Sequence, residues 1–170
     1  MTLENETALA EVDRLLAAAR QTMAKVTDCW AATVAADGGV SARVVEPIPA
    51  APDDGDWTIC FATSARSRKA AEIKRGGRLT LAYQHHPDRS CAALSGPAAL
   101  LAERSVIRAR WREPWRLYFP RGPEDPDLII VRLAVERIEL CVPDVTPEPF
   151  GSRYAAVGRD AAGGWRILSV

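Results

Sequence analysis

Residues Cys29 to Ile48 read CWAATVAADGGVSARVVEPI. Two apolar or alternating arms, Cys29–Ala35 and Val40–Ile48, flank Asp37-Gly38-Gly39. A glycine-containing turn between such arms predicts an antiparallel hairpin, because glycine takes the positive φ that tight turns need. Pro47, Pro49 and Pro52 end the second arm and open the polar loop Asp53-Asp54-Gly55-Asp56. The same grammar repeats outward from this hairpin. Trp57–Ala62 reads as a third strand. Arg78–Gln84 and Ser90–Leu94 form a pair turned by His85-His86-Pro87-Asp88, and Ala98–Ala102 continues the second of them beyond a bulge at Gly96-Pro97. Leu128–Val142 alternates throughout and reads as one long strand.

Helical spacing is confined to three places. Residues 3–26 carry the stripe Leu9, Val12, Leu16, Ala19, Met23 and Val26; Ala70–Lys74 is stopped by Gly76-Gly77; Glu103–Arg112 precedes Pro114. Six strands joined by hairpin signals predict a mainly β fold with peripheral helices, a closed or nearly closed antiparallel barrel. Pro143–Pro149 reads as a linker, so the expected organisation is one domain over residues 1–149 and a tail over 150–170 whose role the sequence does not assign.

Composition bounds the function. The 170 residues are 48% hydrophobic and 26% charged, which excludes a disordered or collagen-like chain. One domain of this size buries roughly 70% of its unfolded surface, so it needs neither metal nor disulfide to fold. Lys+Arg and Asp+Glu both number 22, a balance that argues against non-specific nucleic-acid or membrane binding and favours self-association. No apolar run approaches the ~18 residues of a membrane helix, and Glu4 and Glu6 stand where a signal peptide carries cations. The expected location is therefore cytoplasmic. Cys29, Cys60, Cys91 and Cys141 are far apart in sequence and contain no Cys-x-x-Cys pair, so buried free thiols are expected, with no metal site. His85 and His86 are adjacent, and neighbouring side chains on extended backbone point apart, which suits a turn better than a metal ligand pair.

The chemistry concentrates at Thr63-Ser64-Ala65-Arg66-Ser67-Arg68-Lys69. A strand ends there, hydroxyl residues follow, and a short helix begins just after Ser67 with two cations in its first turn. Helix N-termini carry unpaired amides and partial positive charge, so cations at that place are favourable when an anion joins them. Arg68 offers a bidentate phosphate partner, Lys69 a mobile point charge, and Thr63, Ser64 and Ser67 further hydroxyl donors. A plain Ser67 cap with two solvated cations is the simpler alternative. Arg43 lies among apolar residues on a half-buried arm and calls for an anion, from the protein or from a ligand; an edge-strand arginine in water is the simpler alternative.

These strings together resemble a known family. Ser41-x-Arg43-Val44-Val45, then Trp57 to Ile73 with its Cys-Phe-Ala-Thr-Ser and Ser-Arg-Lys-x-x-Glu-Ile elements, then Arg78-Leu79-x-Leu81-Ala82-Tyr83 resemble the FMN-binding split-barrel proteins related to pyridoxamine 5′-phosphate oxidase. Phe119-Pro120-Arg121-Gly122-Pro123-Glu124-Asp125-Pro126-Asp127 is similar to the loop before the last barrel strand in the general-stress-protein branch. The likeness covers about residues 8–142. It implies a six-stranded antiparallel split barrel and an obligate homodimer with FMN in the cleft between the chains. It further implies phosphate contacts from Arg43, Arg68 and Lys69 with Ser67 as the helix cap. Val44, Val45, Ala62 and Thr63 would lie beside the flavin ring, and Ser64 joins them as a cofactor-binding residue.

Departures narrow the activity. The oxidase proper has Lys five residues after its first Arg, where this chain has Ile48, and a late Arg-x-His pair that has no counterpart here. The stress branch often has Trp where this chain has Cys141. The implied function is therefore flavin-dependent oxidoreduction of a small molecule or electron donor other than pyridoxamine phosphate, with no residue nominated as acid or base. Two alternatives stand beside it: a non-catalytic module that stores or senses flavin, and the same barrel holding deazaflavin or haem. Arg104, Arg108, Arg110, Arg112, Arg116 and Arg121 gather around Trp111 and Trp115, a pattern that also occurs in nucleic-acid grooves. The neighbouring Glu113, Glu124, Asp125 and Asp127 favour local pairing instead, with no nucleic-acid partner. Trp111 and Trp115 are also candidates for flavin-edge contact from the partner chain.

Overall fold

The computed structural model describes residues 3–52 and 54–169. Asp53 of the expected loop and Val170 of the tail lie outside them. The elements run α1 (Leu3–Ala24), β1 (Cys29–Val34), β2 (Val40–Val45), β3 (Pro47–Ile48), β4 (Thr58–Ser64), α2 (Arg68–Gly76), β5 (Arg78–His85), β6 (Ser90–Leu101), α3 (Arg104–Arg110), β7 (Leu128–Ala134), β8 (Arg137–Cys141), β9 (Ala155–Arg159) and β10 (Trp165–Leu168). Short 3₁₀ turns occupy Glu113–Leu117 and Gly122–Glu124.

All pairings are antiparallel, and β6 belongs to two sheets. Its first part pairs with β5 on one side and β8 on the other, while Ala98 to Leu101 pair with β7. One sheet runs β10-β9-β8-β6-β5-β1-β2 and the other β3-β4-β7-β6. The chain closes the gap between them by passing from β2 into β3 at Glu46. The result is a split barrel whose wall contains the six expected strands.

Two of those strands are each divided. The arm Val40–Ile48 changes partner at Glu46, with β2 on β1 and β3 on β4. The arm Leu128–Val142 breaks at Val135-Glu136, with β7 on β4 and β6 and β8 on β6 and β9. Barrel corners are made by strands that bend from one sheet to the other. Gly96 permits the crossing inside β6: a Cβ there would sit 1.9 Å from the Ala134 carbonyl oxygen. β6 runs through Gly96-Pro97 as one strand, so close approach of the backbone explains that glycine.

The barrel core centres on Phe61, Leu81, Leu94, Val131, Leu133 and Ile138, capped by Leu15 and Ala19 of α1. The buried stripe of α1 is Val12, Leu15, Ala18, Ala19 and Thr22, rotated from the expected one; Leu9 is exposed. Thr22 is accommodated because its hydroxyl donates to the Ala18 carbonyl at 3.0 Å. A second apolar cluster, Ile48, Cys60, Ile107, Trp115, Phe119, Leu128 and Ile130, lies between the other face of β3-β4-β7 and α3 with its following turn. The tail is a β-hairpin, β9-β10, added to the edge of β8, and Trp165 packs edge-on against Trp57 at 5.7 Å. Among the described residues no helix is long and apolar enough to cross a membrane.

Candidate binding cleft at the end of β4

β4 ends in a tight turn. Ala65 N–H donates to the Asp127 carbonyl at 2.6 Å, Ser67 N–H to the Ser64 carbonyl at 3.0 Å, and Arg66 N–H to Ser64 Oγ at 3.1 Å. Ser67 then caps α2 in extended geometry, its Oγ accepting from Ala70 N–H at 3.2 Å. Gly77, at φ 64°, closes the other end by donating to the Ile73 carbonyl. Both helix boundaries agree with the sequence signals. The first turn carries Arg68 and Lys69 and no acidic residue.

The inner side of β2 answers where Arg43 finds its anion. Its guanidinium donates to Glu72 Oε2 at 2.7 Å, to Thr33 Oγ1 at 2.5 Å, and to the carbonyls of Ala31 and Ser41. Glu72 is 4% exposed and accepts from Thr33 and Ser41 as well, with Arg68 Nε 3.6 Å away. The Thr33 hydroxyl, with Arg43 and Ser41, outweighs burial and brings the Glu72 carboxyl down to about 2. The carboxylate is therefore ionised and fully engaged.

Lys69 is different. Its Nζ donates to Thr63 Oγ1 at 3.0 Å, and no carboxylate among the described residues pairs with it. Burial, and then the charge of Arg43, lower its pKa below the ordinary 10.5. Thr63 Oγ1 stands 3.4 Å from Ser67 Oγ, so two hydroxyls and an ammonium converge at one end of a cleft of about 480 Å³.

Six of the nine residues singled out in the sequence line this cleft: Val44, Val45, Ala62, Thr63, Ser64 and Lys69. Ser67 stands behind Thr63 as the helix cap. Arg43 and Arg68 gather around Glu72, with Arg68 largely exposed. Trp115, Tyr118 and Phe119 of the same chain form further lining, beside Asp28 and Glu46. Sequence reasoning did not single out Glu72, Tyr118 or Phe119. The signal for Glu72 was its place four residues after Arg68, on the same helix face. Flavin-edge contact by Trp115 is expected from the partner chain, and the structure puts Trp115 in the lining of its own chain's cleft.

The departures also have structural positions. Ile48 is buried opposite Cys60 in the second apolar cluster, outside the cleft lining. Cys141 lies directly across the ladder from Cys91, because the β6–β8 register brings together residues 50 apart in sequence, and of the four thiols expected to be buried Cys91 is only partly so. All four cysteines are free, and burial raises the Cys29 and Cys60 thiols to about 11. His85 Nδ1 contacts Asp88 at 2.9 Å in the turn. Five of the six arginines around the tryptophans are held within the chain: Arg108 by Glu124, Arg110 by Asp54, Arg112 by Glu46, Arg116 by Glu113, and Arg104 by three carbonyls.

Solved structures share this architecture. A Clostridium acetobutylicum protein related to general stress protein 26 of B. subtilis superposes with a TM-score of 0.69 at 14% identity, over 87% of this chain and 95% of the other. A pyridoxamine 5′-phosphate oxidase-related, FMN binding protein from Nostoc punctiforme gives 0.63 at 16% identity over 96% of both chains. PhzG from Burkholderia lata, in complex with tetrahydrophenazine-1-carboxylic acid, gives 0.66 at 20% identity over 95% of this chain and 91% of the other. No curated protein matches the sequence. Residues 16–141, which contain the barrel and the whole cleft, match the family described as pyridoxamine 5′-phosphate oxidase like, and the chain belongs to that family.

Proposed function

We propose that this protein is a cytoplasmic, homodimeric flavoprotein that binds FMN in the cleft at the end of β4 and uses it for oxidoreduction of a small molecule. The observation that carries this reading is Lys69: a half-buried cation, held by a hydroxyl, with no carboxylate partner in the described chain. At the start of α2, Arg43, Arg68 and Lys69 contribute three positive charges and Glu72 one negative, leaving two in excess in that group; of the acidic residues in the rest of the lining, Glu46 is paired with Arg112 and Asp28 takes one from the net excess of the cleft. A phosphate monoester carries about −1.5 to −2 at neutral pH and matches that excess. Lys69, Thr63, Ser67 and Arg68 would hold the phosphate, with Arg43 behind them fixing Glu72.

The rest of the cleft fits a flat aromatic ring. Backbone at Val44-Val45 and Ala62-Thr63 supplies hydrogen-bonding edges, and Trp115, Tyr118 and Phe119 supply apolar surface. Bound flavin supplies hydride or electron transfer, while the chain binds, orients and shields it. The Nostoc relative is named as FMN binding and the Burkholderia relative holds an aromatic acid, which supports a flavin-and-small-molecule reading. Ile48, with no cation at that place, argues against pyridoxamine phosphate as the substrate.

The homodimer rests on the outer face of β1-β2. Trp30, Val34, Val40 and Val44 are all more than half exposed there, and Tyr118 beside the cleft is 72% exposed. An apolar patch of this kind marks an interface. The test is the visible spectrum of the purified protein with and without FMN, together with its mass by light scattering. Bands near about 375 and 450 nm from a dimer support the reading; a colourless monomer that takes up no FMN overturns it. Reduction by NAD(P)H followed by reoxidation with a substrate separates an enzyme from a storage module.

A further inference from the structure

The cysteines divide into two kinds. Cys29 and Cys60 are buried, and the ladders place Val45 opposite the first and Ile48 and Arg132 opposite the second. Cys91 and Cys141 face each other directly across the β6–β8 ladder. Ala92, Leu94, Ile138 and Leu140 take the core side of these strands, so alternation turns both thiols to the outer side. Cys91 Sγ lies 3.9 Å from the Tyr154 hydroxyl, and Cys141 Sγ lies 3.9 Å from Thr146 Oγ1. The Tyr154 phenol has its pKa raised by the bond to Cys91 first, then by burial, with Cys141 contributing as well. Among the described residues no group of His, Cys, Asp and Glu could hold a metal ion, so the two thiols lack the further ligands that a metal needs.

The pair has the backbone separation of a disulfide. The β5–β6 register is unbroken from Arg78 to His85, and one step beyond it Ala98 N–H donates to the Gly77 carbonyl. The backbone groups of Ala92, Leu94 and Gly96 therefore face β5. Those of Cys91, Ala93 and Ser95 face β8, where Ser95 accepts from Glu136 N–H at 2.9 Å. Cys91 and Cys141 are thus a hydrogen-bonded pair, whose Cα atoms stand about 5.5 Å apart, inside the range of about 4.4–6.8 Å that a disulfide spans. Their Cβ atoms, about 5.5 Å apart in such pairs, must close to about 4 Å. A bond made by that movement is strained and readily reduced. β8 ends at Cys141, so the movement costs no ladder pairing beyond it.

We propose that Cys91 and Cys141 form a reversible redox pair whose oxidant is a peroxide. Cys91, the partly accessible member, meets the oxidant. Its sulfur attacks one oxygen of hydrogen peroxide, the O–O bond breaks, and water leaves as Cys91 becomes a sulfenic acid. The Cys141 sulfur then attacks the Cys91 sulfur, the S–O bond breaks, and the hydroxide released takes the Cys141 proton as a second water. The two thiols lose two electrons and two protons, and the peroxide becomes two waters. A small thiol reopens the bond by exchange. Cys141 is 3% exposed and resolves the bond rather than meeting the oxidant. Cys29 and Cys60, with thiols held up at about 11 by burial, stay reduced. Neither member of the pair lines the cleft that Lys69 marks, so the pair does not depend on what that cleft holds.

Peptide mapping of the full chain tests this, with hydrogen peroxide as the probe and iodoacetamide to cap free thiols. As peroxide is raised, the tryptic peptides 90–104 and 138–153 should appear joined before capped Cys29 or Cys60 is lost, and dithiothreitol should separate them. Cys141→Ala should leave Cys91 to advance to sulfinic acid, which dithiothreitol does not reverse. Cys91→Ala should leave Cys141 capped at the same dose. Four thiols still capped after excess peroxide overturn the pair, as does oxidation of all four together or a bond that joins two chains through Cys91. Oxidation of Cys141 in Cys91→Ala, at the dose that joins the peptides of the natural chain, overturns the order of attack.

Discussion

The cleft and a larger cavity of about 680 Å³, between the end of α1, the β3–β4 loop and β5, meet at Glu46 and share β4, yet their charged groups are arranged differently. In the larger one Arg20 is paired with Asp56 and Arg112 with Glu46, and the Asp54 carboxylate in the lining is held by Arg110. In the cleft, Thr33 and Ser41 take two of the bonds that Glu72 could have given to cations. Glu72 is thereby satisfied by one arginine and two hydroxyls, and Lys69 is left with charge to offer. Two short hydroxyl residues on β1 and β2 thus help leave Lys69 without a carboxylate among the described residues, whereas the arginines of the larger cavity have theirs.

The comparison breaks most severely at Arg110. Its guanidinium and the Asp54 carboxylate are 5% and 3% exposed, so Arg110→Ala leaves a buried carboxylate without its charge partner. A loss of about 3–5 kcal/mol in urea unfolding is expected, and Asp54→Ala added to it should recover part of the loss. A single-mutant cost under about 1 kcal/mol would mean that the pair is solvated and the neutrality of the larger cavity is not built in.

Lys69→Ala is the next largest break, and it acts on the other space. Removal of a charge-assisted bond worth about 1.5–3 kcal/mol should lower FMN affinity by about ten- to a hundredfold while riboflavin affinity barely moves. Equal losses for both ligands would remove the phosphate from the reading. The same variant should raise the urea midpoint of the flavin-free protein, because an uncompensated, partly buried cation disappears. The pH dependence has a definite sign. The lysine binds phosphate only when protonated, and its pKa in the folded protein is lowered. The preference for FMN over riboflavin is therefore present at neutral pH and lost as pH rises through that lowered value, before the ordinary 10.5.

Most of this architecture was legible in the residues, and the parts that were not share a cause. All six strands of the barrel wall and both ends of α2 follow from alternation, Ser67 and Gly77. The bends at Glu46 and Val135-Glu136 were missed because side-chain alternation continues through each corner while the hydrogen-bond partner changes. The tail hairpin was missed although Gly163-Gly164, with Gly163 at φ 84°, makes its turn. Within the cleft, the strand-end and helix-start residues could be named from local pattern alone. Arg43 could be read only as needing an anion, since its partner Glu72 comes from another element 29 residues away. The same limit hid the Cys91–Cys141 register and the aromatic wall from the 3₁₀ turn.

The smallest effect is the sharpest test of how the cations divide their work. Arg68 precedes Lys69 in the same helical turn, yet its side chain is 72% exposed and its Nε lies 3.6 Å from Glu72. An exposed pair at that distance is weak and salt-screened. Arg68→Ala should therefore lower FMN affinity by less than about fivefold, and the difference should vanish in high salt. The urea midpoint should hold, because Thr33, Ser41 and Arg43 still satisfy Glu72. A loss as large as that of Lys69→Ala would mean that Arg68 leaves solvent to close on the phosphate. The excess positive charge of the cleft would then be completed by the ligand rather than preformed.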